Sequence, residues 1–149
     1  GNEFMLLSLG GSLGAQRLNE VLLELMDTYS NSSGMYHIHS CGERYFNLID
    51  EKYRVFSNSK GKCRAASYIN DMPLYMKAAD IVVSRAGAST ISEIRASGCC
   101  SILIPSPNVK NNHQYHNARS LERCDGATAS LPSKVAHQRK VPSLQSRVQ

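Results

Sequence analysis

Short apolar runs alternate with segments of helical period along most of the chain. The first run, "FMLLSL" at residues 4–9, is typical of a strand that is buried on both faces of a sheet. Apolar residues then recur at i, i+3, i+4, i+7 and i+8, which predicts a helix from about Ala15 to Thr28. The apolar residues on that predicted face are Leu18, Val21, Leu22, Leu25 and Met26.

The same alternation continues toward the C-terminus. Further strands are predicted at residues 35–40, 63–69, 81–84 and 101–105. Further helices are predicted at residues 71–80, 90–97 and 113–124, with a weaker one that turns Tyr45, Phe46, Ile49 and Tyr53 inward. Alternating strands and helices with short connections imply right-handed crossovers. The predicted fold class is therefore α/β, a Rossmann-like parallel sheet with helices on both faces.

Composition and charge indicate one globular domain followed by a basic tail. The 149 residues carry a net charge of +5, of which Lys134, Arg139, Lys140 and Arg147 contribute +4 without any acid after residue 129. We therefore predict a domain at residues 1–129 and a disordered tail at residues 130–149. A basic tail is weak evidence for a nucleic-acid surface, and we expect no nucleic-acid partner. No apolar run approaches the roughly 20 residues that span a bilayer.

The cysteines and histidines favour structural over metal-binding roles. The five cysteines form no CxxC pair, which favours a reducing compartment and no zinc site. Cys99 and Cys100 precede an apolar run and are interpreted as buried thiols. His37 and His39 share one face of a strand, and His113 and His116 share one face of a helix. Either pair has metal-ligand spacing, but core or surface histidines are the preferred interpretation.

Two loops carry the chemistry, and the first is "GGSLGA" at residues 10–15. Gly10 and Gly11 allow a sharp turn and close approach of a ligand, Ser12 offers a hydroxyl, and the next helix presents free N–H groups to a pyrophosphate. A plain strand-to-helix turn is the alternative. There is no GxxxxGK[ST] motif, and the segment about 20 residues later lacks the acid that binds a nicotinamide cofactor's ribose. An NAD enzyme is thus disfavoured.

The second loop is "SRAGASTISEI" at residues 84–94. Thr90 and Glu93 have the spacing of a helix capping box, which would account for both residues. The small residues Gly87, Ala88 and Ser89 are not explained by a cap, since they leave room for a ligand at the end of a strand. The alternative is that the Glu93 carboxylate accepts hydrogen bonds from the two hydroxyls of a ribose.

Five motifs together resemble the nucleotide-sugar domain of the MurG family of peptidoglycan glycosyltransferases. They are "GGSLGA", "YINDM", "ADIVVSRAGASTISEI", "ILIPSP" and "NNHQYHNARSLE", in the family's order and approximate spacing from about Leu6 to Ala127. The resemblance implies the C-terminal half of a two-domain GT-B fold that binds UDP-N-acetylglucosamine. It also implies transfer of the sugar to an undecaprenyl-pyrophosphate-linked muramoyl-pentapeptide, by an inverting hexosyltransferase.

The resemblance also implies a set of binding residues for UDP-N-acetylglucosamine. Gly11 and Ser12 would lie at the pyrophosphate, and the backbone of Ile69 at the uracil edge. Glu93 would bind the ribose, and Gln114 the sugar hydroxyls. The remaining residues implied to line the sugar and ribose are Ala88, Ser89, Thr90, Ile91, Ser92 and His113. With no DxD motif in the sequence, we expect no metal and no cofactor, and helix N-termini would stabilise the departing UDP.

In this family the catalytic base belongs to the N-terminal domain, so no catalytic residue is assigned here. The lipid-linked acceptor and a peripheral association with the membrane would reach the protein through that other domain or a partner. The expected location is cytoplasmic, at the inner face of the membrane, or an organelle of bacterial origin. Alternatives are the soluble donor subunit of a dolichol-linked N-acetylglucosaminyltransferase, and a non-catalytic nucleotide-binding fragment.

Overall fold

The protein folds around one six-stranded parallel sheet. The computed structural model describes residues 3–11, 14–29, 34–48, 62–107, 112–122 and 127–129. In space the strands follow the order β3-β2-β1-β4-β5-β6. The strands are β1 (Phe4–Leu9), β2 (Met35–Ser40), β3 (Cys63–Ala66), β4 (Ile81–Ser84), β5 (Ser101–Leu103) and β6 (Ala127–Ala129).

Helices follow the strands on both faces of the sheet, as the alternation of patterns predicts. They are α1 (Gln16–Tyr29), α2 (residues 43–48), α3 (Met72–Ala78), α4 (Ala88–Ser97) and α5 (His113–Glu122). Pro73 lies at the start of α3, where its missing N–H leaves no helical bond unmade. Gly98 ends α4 in the left-handed conformation, with its N–H bonded to the carbonyl of Ile94.

Strand β1 lies at the centre of the sheet and divides the core into two layers. Its odd-numbered residues Leu7 and Leu9 are buried on the face that α3, α4 and α5 cover. Leu6, on the other face, packs against Leu18 and Leu22 of α1. This arrangement explains why "FMLLSL" is apolar without alternation, because both faces of a central parallel strand are buried. The Rossmann-like α/β prediction is confirmed.

Helix α1 buries Leu18, Leu22 and Met26 as predicted, but not the other two residues of the predicted face. Val21 and Leu25 remain 43% and 42% exposed, whereas Asn19 and Leu23 are buried. The Asn19 side chain is hydrogen-bonded inside the protein, to the Cys41 carbonyl and to His39. The predicted inward positions Val21 and Leu25 are therefore wrong.

Several boundaries also differ from the prediction. β3 ends at Ala66 and β5 at Leu103, so both are shorter than predicted, and β6 is a strand that the periodicity did not predict. Predicted contacts of Ile49 and Tyr53 lie outside the described residues, as does the tail at 130–149. Within the described part of the chain, no helix has the length and apolarity to cross a bilayer.

Candidate functional site

A cleft of about 890 Å³ opens where β1 and β4 end side by side. The chain runs from β1 outward through β2 and β3, then returns to β4 on the other side of β1. The direction of winding reverses there, and ligands of such sheets bind beyond the carboxyl ends of the strands at this reversal. Leu9 and Ser84, the last residues of the two strands, both line the cleft. The fold thus places both predicted loops in one cavity.

The glycine loop after β1 forms one wall. Gly10 donates its N–H to the Ser40 carbonyl at 2.7 Å, and a Cβ at this position would lie 2.7 Å from Asn19 Oδ1. Gly11, in contrast, has a φ of +83° and no atom near its missing Cβ. Glycine is therefore needed at the two positions for different reasons. At Gly10 a side chain would clash with Asn19, whereas at Gly11 the turn at the cleft requires a positive φ. Ser12 lies outside the described residues.

Behind this wall runs a chain of buried hydrogen bonds. Ser8 Oγ lies 2.6 Å from His37 Nε2 and 2.8 Å from His39 Nδ1. His39 Nε2 lies 2.9 Å from Asn19 Oδ1, and Asn19 Nδ2 donates to the Cys41 carbonyl at 2.9 Å. Burial lowers the pKa of His37 to about 3 and that of His39 to about 4, so both rings are neutral at pH 7. These histidines are core residues, as the sequence interpretation prefers.

The first turn of α4 forms the opposite wall. The helix begins at Ala88 with Gly87 as its N-cap, and no side chain bonds at the cap. The predicted capping box is therefore wrong, because Thr90 already lies inside the helix and Glu93 one turn further. No group in the described part of the chain bonds to the Glu93 carboxylate, which is exposed and lines the cleft together with Ser89 and Thr90.

The third wall comes from the segment between β5 and α5. Gln114 Oε1 accepts the Ser106 N–H at 2.8 Å, which leaves the two amide hydrogens of its Nε2 to face the cleft. Arg85 Nη1 donates to the carbonyls of Ile104 and Pro105, both at 3.2 Å. Asn117 Nδ2 donates to the Ala86 carbonyl at 3.1 Å. These bonds tie the segment after β4 to the segment after β5.

Two charged residues of the cleft lie on the first turns of α1. Arg17 Nη1 and Glu20 Oε2 are 3.1 Å apart, and Gln16 Nε2 donates to the other carboxylate oxygen at 3.0 Å. The hydrogen bonds from Arg17 and Gln16 lower the pKa of Glu20. Sequence analysis missed both Arg17 and Glu20, although their position directly after the glycine loop was a usable signal. It also missed Arg85, Ser106, Tyr68 and Met72.

The structure brings together some of the predicted binding residues and separates others. Those that line the cleft are Gly11, Ser89, Thr90, Glu93 and Gln114. Ala88 is exposed at the start of α4, and Ser92 bonds back to its carbonyl at 3.1 Å. The side chains of Ile69 and Ile91 lie in the core, and His113 is exposed at the start of α5.

The cysteines correct one further expectation. Cys41 and Cys63 are buried, and burial raises the pKa of both thiols. Cys99 is half-buried, but Cys100 is exposed, so the prediction of two buried thiols is wrong. Gly98 ends α4, Cys99 follows it, and the Cys100 side chain is exposed. Cys124 lies outside the described residues.

Comparison with known families matches this chain to one of them. The sequence model of the glycosyltransferase family 28 C-terminal domain matches residues 5–146. The chain belongs to this family of glycosyltransferase domains. The match extends beyond Ala127, where the recognised motifs end, and the boundary at residue 129 stays a prediction.

Curated relatives of this chain are named as N-acetylglucosamine transferases. The UDP-N-acetylglucosamine–N-acetylmuramyl-(pentapeptide) pyrophosphoryl-undecaprenol N-acetylglucosamine transferase of Caldicellulosiruptor saccharolyticus is 41% identical over 138 residues. That alignment covers 90% of this chain and 36% of the relative. The crystal structure of Acinetobacter baumannii MurG matches with a TM-score of 0.72 and 26% identity, over 90% of this chain and 38% of that one.

Another solved structure matches at lower sequence identity. The solution structure of ALG13 matches with a TM-score of 0.54 and 15% identity, over 88% of this chain and 79% of that one. This likeness shows a shared fold alone. The chain spans about a third of the length of the transferase relatives that it matches.

Proposed function

We propose that the chain is the donor-binding domain of an N-acetylglucosaminyltransferase that uses UDP-N-acetylglucosamine and acts in peptidoglycan synthesis. The observation that carries the proposal is the meeting of three features in one cleft. The glycine loop after β1, the Glu93 carboxylate on α4 and the Gln114 amide on α5 all line it. A nucleotide sugar offers a pyrophosphate, a ribose diol and a hydroxylated ring, one for each of these features.

The pyrophosphate is assigned to Gly11 and Ser12, next to the start of α1. Free N–H groups and the helix dipole place about half a positive charge there. Arg17 adds a full charge within the same cleft. Developing charge on the leaving UDP would be stabilised by these groups without any rearrangement.

The ribose is assigned to Glu93, and the sugar to Gln114. The Glu93 carboxylate has no competing partner in the described part of the chain, so both of its oxygens are available to the ribose hydroxyls. Gln114 has its carbonyl oxygen fixed by the Ser106 N–H, so its amide presents donors in a defined direction. The uracil is assigned to the backbone of Ile69, beside Tyr68 and Met72 in the cleft wall. Ala88, Ser89, Thr90, Ile91, Ser92 and His113 complete the assigned set.

The acceptor and the catalytic base are assigned to a part of the enzyme beyond this chain. The relatives are about two and a half times as long, which leaves room for an acceptor-binding domain. The acceptor is a lipid-linked muramoyl-pentapeptide, and association with the cytoplasmic face of the membrane would come through that domain.

Calorimetric titration with UDP-N-acetylglucosamine, UDP-glucose and NADH tests the proposal. The N-acetyl sugar should bind best, and NADH should not bind. Transfer to a lipid-linked acceptor should appear only when an N-terminal domain of the family is supplied. Preferential NADH binding would overturn the proposal. Tight UDP binding without transfer, after the N-terminal domain is added, would favour a non-catalytic nucleotide-binding module.

A further inference from the structure

The buried chain of Ser8, His37, His39 and Asn19 has one defined direction of hydrogen bonding. Asn19 faces the Cys41 carbonyl at 2.9 Å, and only its amide nitrogen can donate there. Its oxygen therefore faces His39 Nε2, which must donate. Since His39 is neutral, its Nδ1 accepts from the Ser8 hydroxyl, and the Ser8 oxygen accepts from His37 Nε2.

This chain of bonds ends at the backbone against which the glycine loop packs. The Cys41 carbonyl lies 3.3 Å from where a Cβ on Gly10 would be, and 2.6 Å from where one on Gly14 would be. Asn19 Oδ1 lies 2.7 Å from that same position on Gly10. The loop thus rests directly on the Asn19 amide and the carbonyl that it holds. Neither Asn19 nor His39 lines the cleft.

We infer that Asn19 and His39 are positioning residues, which fix the glycine loop at Gly10 and Gly14 in the conformation that binds the pyrophosphate of the nucleotide. The inference rests on the proposed function for the identity of the ligand. Burial makes this hydrogen-bond network rigid. Each of its four side chains is at most 2% exposed, and their polar atoms have partners within the protein. Such fully bonded networks hold their members in one geometry. A loop held this way needs little ordering when the phosphates bind.

Variants of Asn19 and His39 in the full chain test the inference through ligand selectivity. Asn19→Ala should weaken UDP binding at least tenfold but change uridine binding less than twofold, because uridine lacks the phosphates. His39→Gln retains a donor for Asn19 Oδ1, so it should lose less UDP affinity than His39→Ala. The matched control is Met76→Ala, a fully buried change in the core layer on the other face of the sheet. It should lower stability without altering the ratio of UDP to uridine affinity.

Amide hydrogen exchange supplies a readout that needs no ligand. The Gly14 N–H bonds to the Gly11 carbonyl at 3.0 Å, and the Val82 N–H to the Cys100 carbonyl at 2.9 Å. In Asn19→Ala, exchange at Gly10 and Gly14 should accelerate about tenfold more than at Val82. Uniform acceleration, or equal losses of UDP and uridine affinity, would overturn the inference. If wild type binds no UDP but exchange rises only in the loop, the proposed function fails and the positioning role remains.

Discussion

Arg85 reaches from the end of β4 to the Pro105 carbonyl, 3.2 Å from its Nη1, and so joins two walls of the cleft. The same nitrogen also donates to the Ile104 carbonyl. An arginine in a cleft that is proposed to bind phosphates invites assignment as a phosphate ligand. Its hydrogen bonds instead indicate that Arg85 stabilises the contact between the segments that follow β4 and β5.

The first prediction separates these two roles of Arg85. Arg85→Ala should lower the free energy of unfolding by about 1.5–3 kcal/mol, because hydrogen bonds from a charged donor to two carbonyls are lost. Arg85→Lys, which can reach one carbonyl, should retain part of that stability. Denaturant unfolding measures both. A variant as stable as wild type but with weakened UDP binding would instead identify Arg85 as a phosphate ligand.

The second prediction concerns Glu93. Glu93→Ala should weaken UDP-N-acetylglucosamine binding about tenfold or more, equivalent to about 1.4 kcal/mol. Because α4 has no side-chain cap, the free energy of unfolding should change by less than about 0.5 kcal/mol. The matched control is Glu24→Ala, an exposed carboxylate on α1 away from the cleft. A loss of stability near 1 kcal/mol with unchanged affinity would restore the capping role.

The third prediction uses the fixed orientation of the Gln114 amide. Gln114→Glu keeps an oxygen for the Ser106 N–H but removes the donors that face the cleft. The variant should lose its preference for UDP-N-acetylglucosamine over UDP while binding UDP as wild type does. His116→Gln, on the exposed side of α5, serves as the control in the same titrations. Equal weakening of UDP and the nucleotide sugar would place Gln114 at the nucleotide.

The fourth prediction treats the pyrophosphate and the Glu20 carboxylate as competitors for the Arg17 guanidinium. If the pyrophosphate takes Arg17 from Glu20, Glu20→Gln should raise UDP affinity and Arg17→Gln should lower it. Both changes should shrink as salt screens the exposed charges. Lys77→Gln on α3 makes the same change of net charge at an exposed site outside the cleft. Equal effects of Arg17→Gln and Lys77→Gln would reduce the role of Arg17 to general electrostatics.

The fifth prediction is loss of stability in acid through the two buried histidines. In the unfolded chain both histidines gain protons as pH falls below about 6.5, whereas burial holds their folded pKa values at about 3 and about 4. The unfolded state therefore binds more protons between these limits, and stability falls as pH decreases through this window. At pH 5 the loss should be about 2 kcal/mol for each histidine relative to pH 7.5.

Urea unfolding at several pH values measures this effect. Ser8 and Asn19 bond to the two rings, and neither is an acid that would hold a protonated imidazole in place. His39→Gln should flatten the profile by about half. Equal stability at pH 7.5 and pH 5 would contradict the assigned protonation states.

The order and type of most elements could be predicted from the sequence, because buried parallel strands and amphipathic helices leave strong periodic patterns. Strand β6 was not predicted, because a strand of three residues is too short to show an alternating pattern. On α1 the burial of Asn19 was not predicted, since this polar residue is buried by bonds to partners about 20 positions away. Such pairing leaves no local pattern.

The candidate site was predictable where a loop follows a strand, as with Gly11 and Glu93. The contributions of Arg17, Glu20 and Ser106 depend on how helices are oriented around the strand ends, which three-dimensional packing decides. The capping box was a misleading signal for a similar reason. Gly87 adopts an extended conformation and allows α4 to begin two residues before Thr90.

The pairing of β1 with β4 determines when the cleft can form during folding. Leu6 pairs with Ile81, and the Met5 N–H donates to Asp80 Oδ2 across 75 positions of sequence. Contacts between such distant segments form slowly, because the chain loses the entropy of closing a long loop before these contacts can stabilise it. The cleft exists only after this closure, so ligand binding during refolding should lag behind helix formation and report the arrival of the native topology. If the cleft binds a nucleotide as proposed, a nucleotide present during refolding should stabilise the closed chain, since a ligand that binds only the native state raises its stability by mass action.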